Sequence, residues 1–254
     1  MMLKSKKIES SYLSFMCSLF ILASGCGRSG FEGRSNLKDY DRNLFSYVEG
    51  HDQPTMPDIG NGAGPYGQHE PTEQMILCKN MITTGLSLPM ASEKYGEDAV
   101  RHLSHYFENT GTNLDVNMIS LLESSKAAKE HFEFELSEAK RLAEVLSPGK
   151  YDIVSKSVTG ISVTASDSPN WYRAVGSYYG WGQAEVTVSE NEHGTTKYEI
   201  NFTYHLFDAY NWEPGDTEFI HLPFLPCKIT GTTMGEFHRQ GLAREFLMTG
   251  AYTK

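Results

Sequence analysis

The clearest hydrophobic pattern in the chain is a run of period two. Gly182, Ala184, Val186 and Val188 alternate with Gln183, Glu185, Thr187 and Ser189. Beyond Asn191-Glu192-His193-Gly194, Tyr198, Ile200, Phe202, Tyr204 and Leu206 alternate with polar positions. Such alternation places one face of a strand against a core, and a glycine-containing turn between two such runs predicts an antiparallel hairpin. Tyr151 to Thr164, rich in Val, Ile, Ser and Thr, predicts one or two further strands, and the aromatic stretch Trp171 to Tyr179 another, with a short strand near Phe219 to Leu222. Upstream the period is helical. Helices are expected over Glu73 to Thr84, over Ser92 to Asn109 with Ser92 as N-cap, and from Asn113 or Asp115 to Leu146, where Ser147-Pro148-Gly149 stops it. In the last region Ile119, Leu122, Phe132, Leu136, Ala139 or Ala143, and Leu146 mark the stripe to be buried. Thr233-Met234-Gly235-Glu236 has the spacing of a capping box, opening a short helix that Gly241 ends. Helices followed by strands predict an α+β domain, its helical N-terminal half packed on an antiparallel sheet.

The first 71 residues lack this patterning. An apolar run from Tyr12 to Ala23 follows Lys4, Lys6 and Lys7, as in the basic and apolar regions of an export signal. It ends in Leu22-Ala23-Ser24-Gly25-Cys26, which resembles the lipobox of bacterial lipoproteins, with Leu22 one step earlier than the family's usual position. The resemblance implies cleavage before Cys26, lipidation of its thiol with a diacylglycerol and a palmitate-type acyl chain, and passage to the outer membrane. Without lipidation, the same run reads as an ordinary signal peptide. Residues 26–71, rich in Gly, Pro, Asn and Asp, are expected to be a flexible tether; about 45 such residues reach roughly 35–40 Å root-mean-square. The expected organisation is a signal peptide over 1–25, a tether over 26–71 and a globular domain over 72–254, helical over 72–147 and carrying the sheet and a short C-terminal helix over 151–254.

Composition narrows the partners. The formal net charge is −10, and loss of Lys4, Lys6, Lys7 and Glu9 with the signal takes it to −12. Such a balance speaks against nucleic acid, and leaves the membrane, through the lipid anchor, and a protein or glycan as expected partners. After Cys17 and Cys26 are accounted for, Cys78 and Cys227 remain, either as one disulfide or as two separate buried thiols.

Chemistry-bearing side chains concentrate after the hairpin, in Asp208-Ala209-Tyr210-Asn211-Trp212 and in Phe237-His238-Arg239-Gln240-Gly241-Leu242-Ala243-Arg244-Glu245-Phe246. From about Ala99 through Trp171 and Trp181-Gly182 to Phe246, the chain resembles a domain of secreted polymorphic-toxin-like bacterial proteins of unsettled activity. Asp208, Tyr210 and His238-Arg239 also echo the Asp-x-Tyr-Asp and His-Arg motif of colicin M-like lipid II phosphodiesterases, although Asn211 replaces the second Asp and the histidine lies far downstream. These resemblances imply a catalytic set of Asp208, Tyr210, His238, Arg239 and Arg244. No cofactor is expected, and a divalent metal only under that hydrolase reading, with a carboxylate and His holding it and Arg neutralising phosphate charge. The structural alternative places Tyr210 and Trp212 at the core edge, Asp208 on turn amides, and Arg239 or Arg244 against Asp208 or Glu245. A third reading makes Trp171, Tyr172, Tyr178, Tyr179 and Trp181 an aromatic binding face. The pair His102/His105 is completed by no carboxylate or cysteine at a helical interval and reads as structural, while His51 and His69, whose spacing with Asp52 and Glu70 matches no ligand set, read as solvated loop.

Overall fold

The hairpin forms as its alternation requires. In the computed structural model, which describes residues 44–213 and 229–254, β5 (Ser177–Glu190) pairs antiparallel with β6 (Thr196–Tyr210), with Ala184 opposite Phe202 and Val188 opposite Tyr198. Asn191 closes the turn by accepting the His193 and Thr195 N–H groups on its side-chain oxygen, each at 2.9 Å. Around this pair lie β1 (Tyr47–Glu49), β2 (Leu114–Asp115), β3 (Gly149–Ser155), β4 (Thr159–Ser162) and β7 (Phe246–Thr253). The seven strands form one sheet in the order β1-β3-β5-β6-β7-β2, with β4 on the first residues of β5. All pairs are antiparallel except β2 with β7. The fold is therefore α+β with a mixed sheet, where a wholly antiparallel one was expected.

The helices are α1 (Glu73–Leu86), α2 (Pro89–Tyr95), α3 (Glu97–Glu108), α4 (Met118–Ser124), α5 (Lys126–Ala143), α6 (Pro169–Ala174) and α7 (Gly231–Arg239). None among the described residues is long and apolar enough to cross a membrane. α5 buries Phe132, Leu136, Ala139 and Leu142, and Phe132 packs its ring against Phe202, Tyr204 and Tyr252 on the sheet. Each such phenylalanine or leucine side chain removed from water contributes about 1.5–3 kcal/mol. Gly182 leaves no room for a side chain: a Cβ there would stand 2.6 Å from the Phe202 ring and collide with the Tyr47 hydroxyl.

Several sequence expectations are corrected. The helix expected from Ser92 to Asn109 is two helices, broken at Gly96, whose φ of 101° suits glycine and whose missing Cβ leaves room for the Asn170 side chain. Asn170 in turn accepts the Ala99 N–H at 3.0 Å. The region from Asn113 to Leu146 begins with β2 and is split at Ser125, whose side chain caps α5; Ile119, placed on the buried stripe, is 58% exposed. Trp171 to Ala174 is helix, not strand, because Ser168 caps and Pro169 presets the first turn. The capping residue of α7 is Thr230, three residues ahead of the expected Thr233. The short strand expected near Phe219 to Leu222 lies outside the described residues.

The largest correction concerns residues 44–71. They are not a tether throughout: Tyr47 is fully buried in β1, which pairs with β3 through Tyr47–Ser155 to Glu49–Ile153. The following segment passes over the sheet face opposite α5. There Gln53 and Met56 border a hollow shared with Trp181 and His205, which stack at 5.0 Å. It then rounds the end of β6, where Asn211 Nδ2 donates to the Ile59 carbonyl at 3.1 Å, and reaches α7. Sparse apolar residues hid this strap, which is held mainly through its backbone polar groups, with Tyr66 and His69 as side-chain additions.

Candidate functional site

Residues 58–72 are fastened to α7 and the loop after it. The Arg239 guanidinium donates to the Ala63 carbonyl at 3.1 Å and to Glu236 at 2.8 Å. Glu245 accepts the backbone N–H of both Ala63 and Trp212, at 2.9 and 2.8 Å. His238 accepts the Glu245 N–H on Nδ1, so its proton is on Nε2, which donates to the Gly64 carbonyl, each at 3.1 Å. Burial, together with the nearby Arg244 and Arg239, pushes the His238 pKa down despite the Gly64 bond, favouring the neutral ring. Burial works against a charged Glu236, but hydrogen bonds from His69, Gln240 and Arg239 overcome it and hold that carboxyl at about 2. Arg244 lies over the Tyr66 ring at 4.7 Å. Three of the five residues of the implied catalytic set thus clamp the strap.

The other two lie on the helix-facing side of the sheet. Tyr210 is buried, stacked on Phe246 at 4.9 Å with Trp212 edge-on at 5.7 Å, and burial raises its pKa. It is a core residue, as the structural alternative held. Asp208 is in β6, two residues before it, rather than on a turn, and no ion pair or side-chain hydrogen bond reaches its carboxylate among the described residues. It lines a cleft of about 1140 Å³ between the ends of β4, β5 and β6 and helices α2, α3 and α6. Burial pushes the Asp208 pKa up to about 7, only partly offset by the Ala209 N–H. No contact joins it to His238, Arg239 or Arg244 among the described residues, so the five do not form one constellation.

The cleft walls are aromatic and polar. Tyr95, Tyr172, Tyr179 and Trp212 line it, with Ser162, Thr164 and Ser177 at the β4–β5 end. Tyr95 Oη and Trp212 Nε1 are buried there without a hydrogen-bond partner among the described residues. Of the aromatic face expected from sequence, Trp171, Tyr178 and Trp181 are buried, while half-buried Tyr172 and Tyr179 belong to the cleft. Sequence reasoning missed Tyr95, Asp58 and Arg173, which come from separate segments and share no local motif. Arg173 holds the Pro169 carbonyl at 3.0 Å and the Tyr95 carbonyl at 3.4 Å.

A second buried polar group lies between α5 and the sheet. Glu135 accepts from the hydroxyls of Tyr47 and Ser155, both at 2.6 Å; burial still raises its pKa. His131 bonds the Tyr204 hydroxyl at 2.8 Å, which meets the Tyr178 hydroxyl at 3.3 Å. These contacts close the interior and anchor β1.

No three His, Cys, Asp or Glu side chains converge as a metal site among the described residues. The paired histidines are separately engaged: His102 donates to the Asp98 carbonyl at 2.7 Å, and His105 meets Thr112 and Glu108. His69, assigned to a solvated loop, contacts Glu236 at 2.9 Å. Cys78 is disulfide-bonded, and Cys227, its candidate partner, lies outside the described residues, as does Cys26. Comparison with protein-family models, curated proteins and solved structures returns no match. The fold and the cleft accordingly define an α+β protein with an acidic, aromatic-walled recess at one end of its sheet.

Proposed function

We propose that the protein is a lipid-anchored component of a bacterial cell envelope, of outer-membrane type, whose domain binds a ligand in the Asp208 cleft. The cleft carries this reading: a recess of about 1140 Å³ with aromatic walls and a few convergent polar groups has the size and composition of a small-molecule or peptide-side-chain site. The lipobox-like Leu22-Ala23-Ser24-Gly25-Cys26 supplies the anchor and the location.

The alternative, an antibacterial effector-like hydrolase acting on an envelope phosphodiester through Asp208, His238 and Arg239, draws on the raised Asp208 pKa, which suits a general acid or base. The geometry favours it less, because His238 and Arg239 are engaged by backbone carbonyls of the strap and stand apart from Asp208.

Two measurements test the binding reading. Cys26→Ser should abolish lipid labelling and membrane fractionation; retention of both removes the anchor. Carbene footprinting should show Tyr172, Tyr179 and Trp212 protected in intact envelopes relative to the purified full-length protein in lipid nanodiscs. Equal labelling in the two settings overturns ligand occupancy of the cleft.

A further inference from the structure

The cleft's charge distribution narrows its ligand, on the reading that the cleft binds one. Asp208 presents a half-buried carboxyl on the cleft wall with no cation beside it among the described residues. Asp58, on the strap, adds a second carboxylate and spends one oxygen on the Gly60 N–H at 3.0 Å. Arg173, the cleft's cation among the described residues, is turned onto two backbone carbonyls and lies over the Tyr95 ring at 5.9 Å. An anionic ligand would meet Asp208 and Asp58 with that guanidinium already engaged. A neutral ligand would leave the Asp208 carboxylate uncompensated in a partly desolvated recess. A cation would pair with it, and the aromatic side chains of the cleft wall, Tyr179 and Trp212 among them, would add attraction for the positive charge.

We propose that the cleft takes an organic cation of the ammonium or guanidinium class, its charged head on Asp208 and its apolar body against the aromatic wall. Among the described residues, the charged and titratable groups facing the cleft are Asp208 from β6, Asp58 from the strap, Arg173 from α6, Glu213 after β6, and the tyrosines Tyr95, Tyr172, Tyr178, Tyr179 and Tyr210. Behind the wall, His102 lies 6.2 Å from the Tyr210 ring, with burial lowering its pKa to about 4. Cation binding requires the ionised Asp208, so protons compete with the ligand. With the free carboxyl titrating at about 7, affinity should fall about 90-fold from pH 8 to pH 5.

The test uses the full-length protein in nanodiscs, with empty nanodiscs as control, and fluorescence anisotropy of three dansyl probes. One carries a five-carbon alkylammonium, one its N-acetylated neutral form, and one the matching carboxylate. The expected result is saturable binding of the ammonium probe at pH 8, at least tenfold weaker binding of the neutral form, and none of the carboxylate. Asp208→Asn should weaken the ammonium probe at least tenfold and flatten its pH profile, and Ser177→Trp, which places a ring in the cleft from its exposed rim, should block it. Circular dichroism and the denaturation midpoint confirm that each variant folds. Equal binding of ammonium and neutral probes overturns the cation assignment and leaves ligand binding standing. Ammonium binding unaffected by Asp208→Asn overturns the site. Failure of all three probes overturns the inference, while the footprinting result judges the broader reading separately.

Discussion

His238 and Gly64, 174 positions apart, are joined by a hydrogen bond of 3.1 Å from the imidazole Nε2–H to the backbone carbonyl. The same ring accepts the Glu245 N–H, so one neutral side chain ties the strap to the loop after α7. His238→Ala should remove both bonds and lower stability by about 1–3 kcal/mol in denaturant titration. Amide exchange should quicken around Ala63 to His69. Unchanged stability and exchange would refute the clamp.

Asp208→Asn should stabilise the protein in a pH-dependent way. The folded-state pKa, about 7, is raised above the unfolded aspartate value, so the favourable contribution is complete below about pH 4 and is lost as pH rises through 7. The amide mimics the protonated acid at every pH. The variant should therefore match the parent near pH 4 and exceed it at pH 8 by about 2 kcal/mol, half the full linkage value because water reaches a half-buried group. Parallel denaturation curves at both pH values decide it. An advantage independent of pH would contradict the burial of this carboxyl.

Tyr47→Phe takes one of two hydroxyl donors from Glu135 and leaves the ring in place. A loss of about 1–3 kcal/mol is expected, with faster exchange at Tyr47 to Glu49 than in β5 or β6. If the variant is as stable as the parent, Glu135 does not depend on β1 for its satisfaction.

Gly182→Ala should cost about 1–3 kcal/mol, because the added methyl meets the Phe202 ring and the Tyr47 hydroxyl. Thermal unfolding reads the effect. The same change at Gly85, where a Cβ meets nothing within 4 Å, is the control and should leave stability unchanged or slightly raised.

Much of the fold was legible because the hairpin's alternation is local: Phe202, Tyr204 and Leu206 are buried as their period requires. The long helix before the sheet was readable for the same reason, in Phe132, Leu136 and Ala139. Breaks were harder to read, since Gly96 interrupts a helical pattern through a contact with Asn170, 74 positions away. The strap was illegible because most of its attachments are backbone carbonyls and amides held by distant side chains, which leave no periodic mark. The candidate site divided for a related reason. Residue types singled out Asp208 and His238 together, but strand direction sent Asp208 into the cleft while α7 turned His238 onto the strap.

The strap also decides how force would enter the domain. Under the proposed N-terminal anchor, a pull would, among the described residues, first meet the bonds of Leu44 and Ser46 to Arg141 and Glu138 and then β1, three residues paired to β3. Only afterwards would it meet the Asn211 bond to Ile59 and the Ala63 and Gly64 attachments to Arg239, Glu245 and His238. Detachment would thus proceed in two stages. Because Asp58 to Gly60 form part of the cleft wall between these points, tension that had released β1 would next deform the recess, before it reached the clamp on α7.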